Sequence, residues 1–438
     1  MAVSAREVSL KCLLAGEKQG AWSDGYLRNA IRQAGLSGRD AALCTRLTFG
    51  VLQNKLLLDW HIARLSSVPP HKLESAVCGS LRLGIYQLLF LSRVPAHAAV
   101  NESVALAKRY CRNPRAAGLV NAVLRVFERA KGEGLPYPEE LSVRYSHPEW
   151  LVKELSALLP EEEAEALLAA DNAQVPTQAQ VNTLKTTSEA LTEELTQAGV
   201  SVRPHPWLAD CLELEDTGSL EALPAFQEGR LYIQDAAARL AVMAAAPQPG
   251  MRVLDACAAP GGKSFAAAIT MNGQGNILAC DLHPHKQKLI EAGAGRLGIG
   301  CVTAAAMDGR KFDPVLEKGF DLVMADVPCS GLGIIRKKPD IRYKAPEPLM
   351  ELPRVQKEIL SNVARYVRHG GTLLYATCTL LRRENEDVVS WFLDKNADFV
   401  LEPFVLPGPV GETGGSVTLW PHRHGTDGFF IAKLRRKS

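Results

Sequence analysis

The sequence lacks any apolar run approaching the roughly 18 to 20 residues that a transmembrane helix needs. Its first residues, MAVSAREVSLK, also lack the apolar core of a signal peptide. We therefore expect a cytoplasmic protein. Disorder is not expected, because 47% of the residues are hydrophobic and 22% are charged, as in ordinary globular proteins.

Paired cysteine motifs are also missing. The ten cysteines are scattered without a CxxC pair, which argues against a zinc site and against a disulfide framework. Most of them are expected to be reduced, small core residues. We therefore expect no metal.

The small net charge of +2 conceals an uneven distribution. Residues 1–140 carry 19 basic and 11 acidic side chains (+8), residues 141–230 carry 5 and 16 (−11), and residues 231–438 carry 26 and 21 (+5). Both ends of the chain could therefore face a polyanion, whereas the acidic middle could not do so easily.

The first 130 or so residues are predicted to be helical, because apolar residues recur every three or four positions and no long stretch alternates between apolar and polar residues. Within them, 108–131 holds seven basic residues against one acid, Glu128. Such a face commonly contacts phosphates, and a solvated charged surface is the other interpretation.

Two stretches here, RLGIYQLLFLSRVPAHAAVNESVALAK (82–108) and GLVNAVLRV (118–126), resemble the helical RNA-binding domain of the NusB family, in the form fused to ribosomal RNA methyltransferases. The resemblance implies RNA contacts for Arg112, Arg115 and Arg125. It also implies an all-α NusB-like domain over 1–140.

A shift to Gly, Pro and Tyr between Gly132 and Pro148 indicates a domain boundary. Residues 141–225 mix helical pieces with short strands, which predicts a small α/β linker subdomain. Its acidity and its lack of chemically active clusters favour a spacer role.

From 226 to 438 apolar strands alternate with helical stretches, which predicts a parallel, doubly wound Rossmann-like sheet. The predicted strands are 252–257, 276–281, 301–305, 321–326 and 372–377. Ligands bind at the carboxyl ends of such strands.

Three nucleotide sites compete for LDACAAPGGKS (254–264), which follows the first of these strands. A P-loop needs glycine where Cys257 stands, and a dinucleotide site needs G-x-G-x-x-G, so both fit poorly. An S-adenosylmethionine site needs a glycine-lined turn and an acid about 20 residues further on. Asp281, 19 residues after Gly262, meets this need, and Asp308 and Asp326 follow or end later strands.

Two strands lead to cysteines. The D-x-P-C segment places Cys329 in a proline-fixed turn after Asp326, and YATCTL (375–380) places Cys378 at the end of the neighbouring strand. The pair could be a disulfide, a metal pair or two catalytic thiols. The expected compartment argues against the first, and the absence of partner ligands argues against the second.

Methylation of carbon 5 of a pyrimidine would explain a need for thiols. Addition of a thiolate to carbon 6 makes carbon 5 nucleophilic, and a base must later remove the carbon 5 proton before the thiol leaves. Asp326 is the candidate to neutralise the ring near nitrogen 3, and Lys263 to lower the pKa of the attacking thiol. This chemistry does not decide which cysteine attacks.

The segments CAAPGGK (257–263), PCSGLGIIRKKPDIRY (328–343), RRENEDVV (382–389) and HGTDGFFIAKL (424–434) resemble the RNA cytosine-5 methyltransferases. The resemblance implies that Cys378 is the nucleophile, that Cys329 assists breakdown of the adduct and that S-adenosylmethionine is the cofactor. Its implied cofactor pocket contains Cys257, Ala258, Ala259, Pro260, Gly261, Gly262, Lys263, Asp281, Asp308 and Asp326.

With the NusB-like domain, the resemblance implies a class I methyltransferase that makes 5-methylcytosine in 16S ribosomal RNA, at cytosine 967. Transfer RNA or another ribosomal site is the alternative substrate. The non-enzymatic alternative is a NusB-like RNA-binding adaptor whose methyltransferase half is inactive. No obligate protein partner is implied.

A basic loop follows the D-x-P-C turn, and we expect it to hold RNA phosphates, with a solvated charge run as the other interpretation. The candidate contacts are Arg336, Lys337, Lys338, Arg342 and Lys344. The target base must leave its stack to reach the cleft, which favours an RNA loop or junction.

Overall fold

The computed structural model describes residues 3–19 and 24–438. They form two compact units: one holds the described residues up to 156 together with Lys337–Lys344, and the other holds Ala157–Arg336 and Ala345–Ser438. No helix in the described ranges is both long and apolar enough to cross a membrane.

The first unit is helical, as predicted. Helix α5 is buried along almost its whole length, because its apolar residues surround the axis instead of forming one stripe. The helices are α1 (Ala5–Gln19), α2 (Asp24–Gln33), α3 (Gly38–Gln53), α4 (Lys55–Leu65), α5 (Ser75–Phe90), α6 (Ala96–Tyr110), α7 (Ala116–Glu133), α8 (Leu141–Arg144) and α9 (Glu149–Ser156). Five other helices, α1, α3, α4, α6 and α7, pack their apolar faces around α5.

The segment Lys337–Lys344 belongs to this helical unit, which the sequence did not indicate. Its Arg342 is fully buried. The guanidinium donates to the carbonyl oxygens of Gln53 at 2.9 Å and Ser146 at 3.1 Å. The prediction that Arg342 holds RNA phosphates is therefore wrong, because its guanidinium is buried in this unit and donates hydrogen bonds to backbone carbonyl oxygens there.

The second unit begins with a four-stranded antiparallel sheet in the order β2-β3-β1-β4. Strand β4 pairs with β1, so this sheet includes residues beyond 225. Its elements are α10 (Glu161–Ala170), β1 (Thr177–Val181), α11 (Ser188–Gln197), β2 (Ser201–Pro204), β3 (Cys211–Glu215), α12 (Pro224–Gln227) and β4 (Leu231–Ile233).

The larger sheet has the order β10-β14-β9-β8-β5-β6-β7, with β13 also paired to β14. The predicted parallel strands are confirmed as the run from β7 to β9. The antiparallel strands at the other edge were not predicted. The strands are β5 (Arg252–Asp255), β6 (Asn276–Asp281), β7 (Val302–Ala306), β8 (Phe320–Asp326), β9 (Val367–Thr377), β10 (Phe399–Leu401), β11 (Phe404–Leu406), β12 (Gly411–Thr413), β13 (Ser416–Leu419) and β14 (Phe429–Arg436).

Helices cover both faces of this sheet. Alternate residues of β8 point into different hydrophobic clusters, one built with α13, α14 and α15 and the other with α16 and α17. This two-sided burial explains why the parallel strands are continuous apolar runs. The helices are α13 (Ala236–Ala245), α14 (Gly262–Thr270), α15 (Pro284–Leu297), α16 (Leu352–Val363), α17 (Glu386–Lys395) and α18 (Pro421–His424).

Candidate active site

The loop after β5 turns sharply into α14. Gly261 has a φ of +113°, and a Cβ there would lie 2.3 Å from the ring of Phe265. Only glycine meets both demands without strain. The first backbone N–H groups of α14 therefore start directly beside the carboxyl end of the sheet.

A cavity of about 330 Å³ opens at this edge of the sheet. Asp281, Asp308 and Asp326 all line it, so the structure brings the three strand-end acids together. Cys257 and Ala259 line it too. The remaining loop residues of the predicted cofactor pocket shape the turn without lining this cavity: Ala258, Pro260, Gly261, Gly262 and Lys263.

Two of these acids have basic neighbours on the cavity wall. Lys286 Nζ lies 3.3 Å from Asp281, and Arg310 forms two bonds of 2.9 Å with Asp308. The hydrogen bonds from Arg310 lower the pKa of Asp308. Leu282, half exposed, adds apolar surface beside Asp281. The cavity thus combines carboxylates with an apolar wall.

The two strand-end cysteines lie side by side. Strands β8 and β9 are parallel neighbours with Asp326 opposite Ala376. The segments that follow bring Cys329 Sγ to 3.2 Å from Cys378 Sγ. Both are free thiols, and no group of metal ligands occurs among the described residues.

Lys263 provides a positive charge next to the thiols. Its Nζ lies 2.6 Å from Asp326 Oδ2 and 5.0 Å from the centre of the Phe429 ring. Burial lowers the pKa of Lys263, but Asp326 and the other nearby negative groups more than offset this and raise it overall. The ammonium therefore stays charged at neutral pH.

The two thiols differ in their surroundings. The hydrogen bond with Cys329 lowers the pKa of Cys378, although burial and the negative charge of Asp326 act against it, and Lys263 adds to the lowering. The same hydrogen bond, with burial and the charge of Glu384, raises the pKa of Cys329. Of the pair, Cys378 is the thiol that ionises first.

The structure adds an acid that the sequence interpretation missed. Asp255 ends β5 and accepts a hydrogen bond of 2.7 Å from Ser264 Oγ. Burial raises the pKa of Asp255 to about 6. The sequence signal was present, because Asp255 terminates an apolar strand just as Asp281 and Asp326 do.

Arg336 does not lie where the sequence placed it. Its side chain is 4% exposed, and its Nε lies 2.7 Å from Asp427 and its Nη2 3.3 Å from Asp235. The prediction of a phosphate contact for Arg336 is therefore wrong. The residue instead joins the segment after Cys329 to the segment that precedes β14.

Replacement of Arg336 by methionine is expected to destabilise the protein by about 3 kcal/mol, because two buried carboxylates lose their partner. Chemical denaturation measures this loss. The control is Arg354→Met, since Arg354 pairs with Glu351 and Glu358 while 63% exposed and should lose less than about 1 kcal/mol. Equal stabilities of the two variants would contradict the buried role.

Gly333 and Gly428 form a close backbone contact beside the thiols. A Cβ on Gly333 would lie 1.9 Å from the carbonyl oxygen of Gly428, and Gly333 N donates to the carbonyl oxygen of Cys378 at 2.9 Å. Gly333→Ala must separate these backbones and is expected to cost about 2–3 kcal/mol in thermal unfolding. Gly300→Ala, which has open space, should unfold like the wild type. A Gly333→Ala protein as stable as that control would refute the contact.

The predicted RNA contacts of the helical unit lie at its surface. Arg112, Arg115 and Arg125 are exposed, and Arg125 pairs with Glu128 at 3.0 Å. Lys338 is exposed and Lys337 is half-buried. Their contact with RNA stays a prediction.

A Rossmann-like sheet whose strand ends carry an acid-lined cavity next to a pair of free cysteines is the fold and site of a class I methyltransferase. Family models match three parts of the chain: NusB family at residues 3–129, "Methyltr_RsmF/B-like, ferredoxin-like domain" at 147–221, and "16S rRNA methyltransferase RsmB/F" at 242–435. The chain belongs to the RsmB/F family of 16S rRNA methyltransferases.

Relatives match over nearly the full length. "Probable ribosomal RNA small subunit methyltransferase B" of Bacillus subtilis is 37% identical, with 99% of each chain covered. "Ribosomal RNA small subunit methyltransferase B" of Escherichia coli O1:K1 is 36% identical over 92% of each. The crystal structure of PH0851 is 26% identical, covers 100% of both chains and has a TM-score of 0.80.

Proposed function

We propose that this methyltransferase transfers a methyl group from S-adenosylmethionine to carbon 5 of a cytosine in 16S ribosomal RNA, through a covalent adduct of Cys378 with carbon 6. The observation that carries the proposal is the thiol pair at 3.2 Å with Lys263 and Asp326 beside it. A methyltransferase acting on an oxygen or nitrogen atom would not need an activated thiol at this position.

The cavity supports S-adenosylmethionine as the cofactor. Carboxylates suit a cationic cofactor, and they also accept hydrogen bonds from ribose hydroxyls and an exocyclic amine. Asp281 would hold the ribose and Asp308 the adenine side, while Leu282 offers apolar surface. When bound, the cofactor supplies an electrophilic methyl group on a sulfonium.

Three side chains, those of Cys378, Asp326 and Cys329, carry out the other steps of the proposed reaction. Cys378, ionised beside Lys263, forms the bond to carbon 6, and the displaced electron pair makes carbon 5 nucleophilic. As the sulfur adds, a proton of the Lys263–Asp326 pair passes through Asp326 to ring nitrogen 3, which keeps the ring neutral. After methylation, nitrogen 3 returns its proton to the Lys263–Asp326 pair and a base accepts the carbon 5 proton. The electron pair of that carbon–hydrogen bond forms the double bond between carbons 5 and 6, and the sulfur–carbon bond breaks to release the Cys378 thiolate. The Cys329 S–H then stabilises the departing Cys378 thiolate by donating a hydrogen bond to it.

Names of relatives support ribosomal RNA as the substrate, and the exposed basic residues of the helical unit support contact with its phosphates. We propose cytosine 967 as the target, in the cytoplasm where ribosomes assemble. We propose that residues 1–140 form the RNA-binding part, 141–225 the linker and 226–438 the methyltransferase part, with β4 of the last range completing the sheet of the linker.

The test is transfer of labelled methyl groups from S-adenosylmethionine to three RNAs. They are a 16S fragment that contains cytosine 967, the same fragment with uridine at that position, and transfer RNA. Label is expected in the first RNA alone, as 5-methylcytosine. Equal labelling of transfer RNA would overturn the ribosomal assignment, and label on another atom would overturn the carbon 5 chemistry.

A further inference from the structure

A buried carboxylate stands behind the thiol pair, in a part of the site that the proposed mechanism does not use. Glu384 is fully buried in the turn between β9 and α17. Its Oε2 accepts from the Ser330 backbone N–H at 2.9 Å and from Gln356 Nε2 at 2.9 Å. Gln356 Nε2 also donates to the carbonyl oxygen of Pro328 at 3.1 Å. Both peptide groups that flank Cys329 are therefore held through this carboxylate.

The next residue does the same for the other thiol. Asn385 Oδ1 accepts from Thr377 Oγ1 at 2.5 Å, and Asn385 Nδ2 donates to the carbonyl oxygen of Thr379 at 3.0 Å. These two threonines flank Cys378. Glu384, together with Gln356, and Asn385 thus hold the residues on both sides of both cysteines.

The two sides of the thiol pair also differ in charge. The carboxylate of Glu384 acts on Cys329, whereas the ammonium of Lys263 acts on Cys378. Asp326 disfavours ionisation of both thiols, so the charges that distinguish them are Glu384 beside Cys329 and Lys263 beside Cys378. This difference favours the proton on Cys329 and the thiolate on Cys378. The charged and titratable groups that act on the pair are Glu384, Lys263, Asp326 and Asp427, besides the two thiols themselves.

We infer that Glu384 is a positioning residue that holds Cys329 against Cys378 and keeps the shared proton on Cys329, so that Cys378 is the thiolate. This inference adds a residue to the proposed mechanism, and its relevance to catalysis rests on the proposed function. The arrangement of charge and hydrogen bonds itself does not depend on RNA.

Glu384→Gln tests the inference, because the amide oxygen can still accept from Ser330 N–H while the charge is lost. Iodoacetamide is applied to the full-length protein at a series of pH values without RNA or cofactor. Mass spectrometry then gives the initial rate of modification at Cys378 and at Cys329. In the wild type, Cys378 should be modified faster than Cys329 at every pH of the series.

In Glu384→Gln the profile of Cys329 should move to lower pH by about one unit. At a fixed pH below both midpoints, its modification relative to Cys378 should then rise about tenfold. A purely structural role for Glu384 would leave the profiles in place, and unchanged profiles in the folded variant would overturn the inference.

Glu386→Gln is the matched control. It removes the charge of an acid two residues after Glu384, whose carboxylate accepts a hydrogen bond from Thr418 Oγ1. It should reproduce the wild-type profiles. If Glu384→Gln does not fold, the modification rates of the wild-type protein still test the inference. Faster modification of Cys329 than of Cys378 at neutral pH would overturn it. Failure of methyl transfer would count against the proposed function and would leave these thiol profiles unaffected.

Discussion

Cys378→Ala is expected to lose methyl transfer to 16S ribosomal RNA by about four orders of magnitude or more, the scale seen when an enzyme loses a nucleophile. The variant retains the cofactor cavity, but it has no sulfur that can add to carbon 6 from the position beside Lys263. It should also form no covalent protein–RNA complex. Transfer of labelled methyl groups and denaturing gels measure the two effects.

Cys329→Ala provides the contrasting variant. It keeps the attacking thiol but removes the S–H that lies 3.2 Å from it, so breakdown of the adduct should slow more than its formation. A covalent protein–RNA complex should therefore accumulate. Turnover by Cys378→Ala, or a dead Cys329→Ala that forms no adduct, would contradict the assigned roles.

Asp326→Asn is expected to slow methyl transfer by about three orders of magnitude, within the range for loss of a positioned acid or base. The substitution preserves the shape of the side chain but removes the charge that lies 2.6 Å from Lys263. The amide cannot pass a proton to ring nitrogen 3 as the sulfur adds, and Lys263 has no ion-pair partner. Single-turnover rates of methyl transfer measure the effect.

Asp321→Asn is the control for that variant. Asp321 lies on the same strand and pairs with Arg368 away from the cavity. Its rate of methyl transfer should stay within a few-fold of the wild type. Equal losses in both variants would mean that Asp326 acts through the stability of the strand and has no role in the chemistry.

The sequence predicted those parts of the fold where one local pattern dominates. Helix α15 has the predicted bounds, Pro284–Leu297, because its proline start and the glycine after its end mark both termini. The parallel strands were recognisable as apolar runs buried on both faces. Strands β10 to β14 were not predicted, because β10 to β13 have only three or four residues each, too few for alternation to show, and β14 is a largely continuous apolar run at the end of the chain.

The site was predictable to the extent that it lies at strand ends. Asp281, Asp308, Asp326, Cys329 and Cys378 follow or end parallel strands, and topology brings such positions to one edge of the sheet. The local sequence around the two thiols could not separate them, and only the family resemblance did, because their difference arises from Lys263 on one side and Glu384 on the other. Lys263 and Glu384 are each far in sequence from the thiol on which they act, Lys263 from Cys378 and Glu384 from Cys329.

The basic loop shows where charge alone misleads. Arg336 and Arg342 looked like phosphate contacts in a run of cations, yet one is paired with two buried acids and the other is bonded to backbone carbonyls. Their partners lie between 90 and 290 residues away in sequence. A charge run shows how many cations are present but not which of them face solvent.

The most direct test of the account uses 16S ribosomal RNA that carries 5-fluorocytosine at the target position. Fluorine replaces the carbon 5 proton whose loss would release the enzyme, so the adduct should become permanent. Digestion and mass spectrometry of the trapped complex then identify the modified residue. We expect the peptide containing Cys378 to carry the methylated nucleotide. An adduct on Cys329, or methylation that proceeds without any trapped cysteine, would contradict the account.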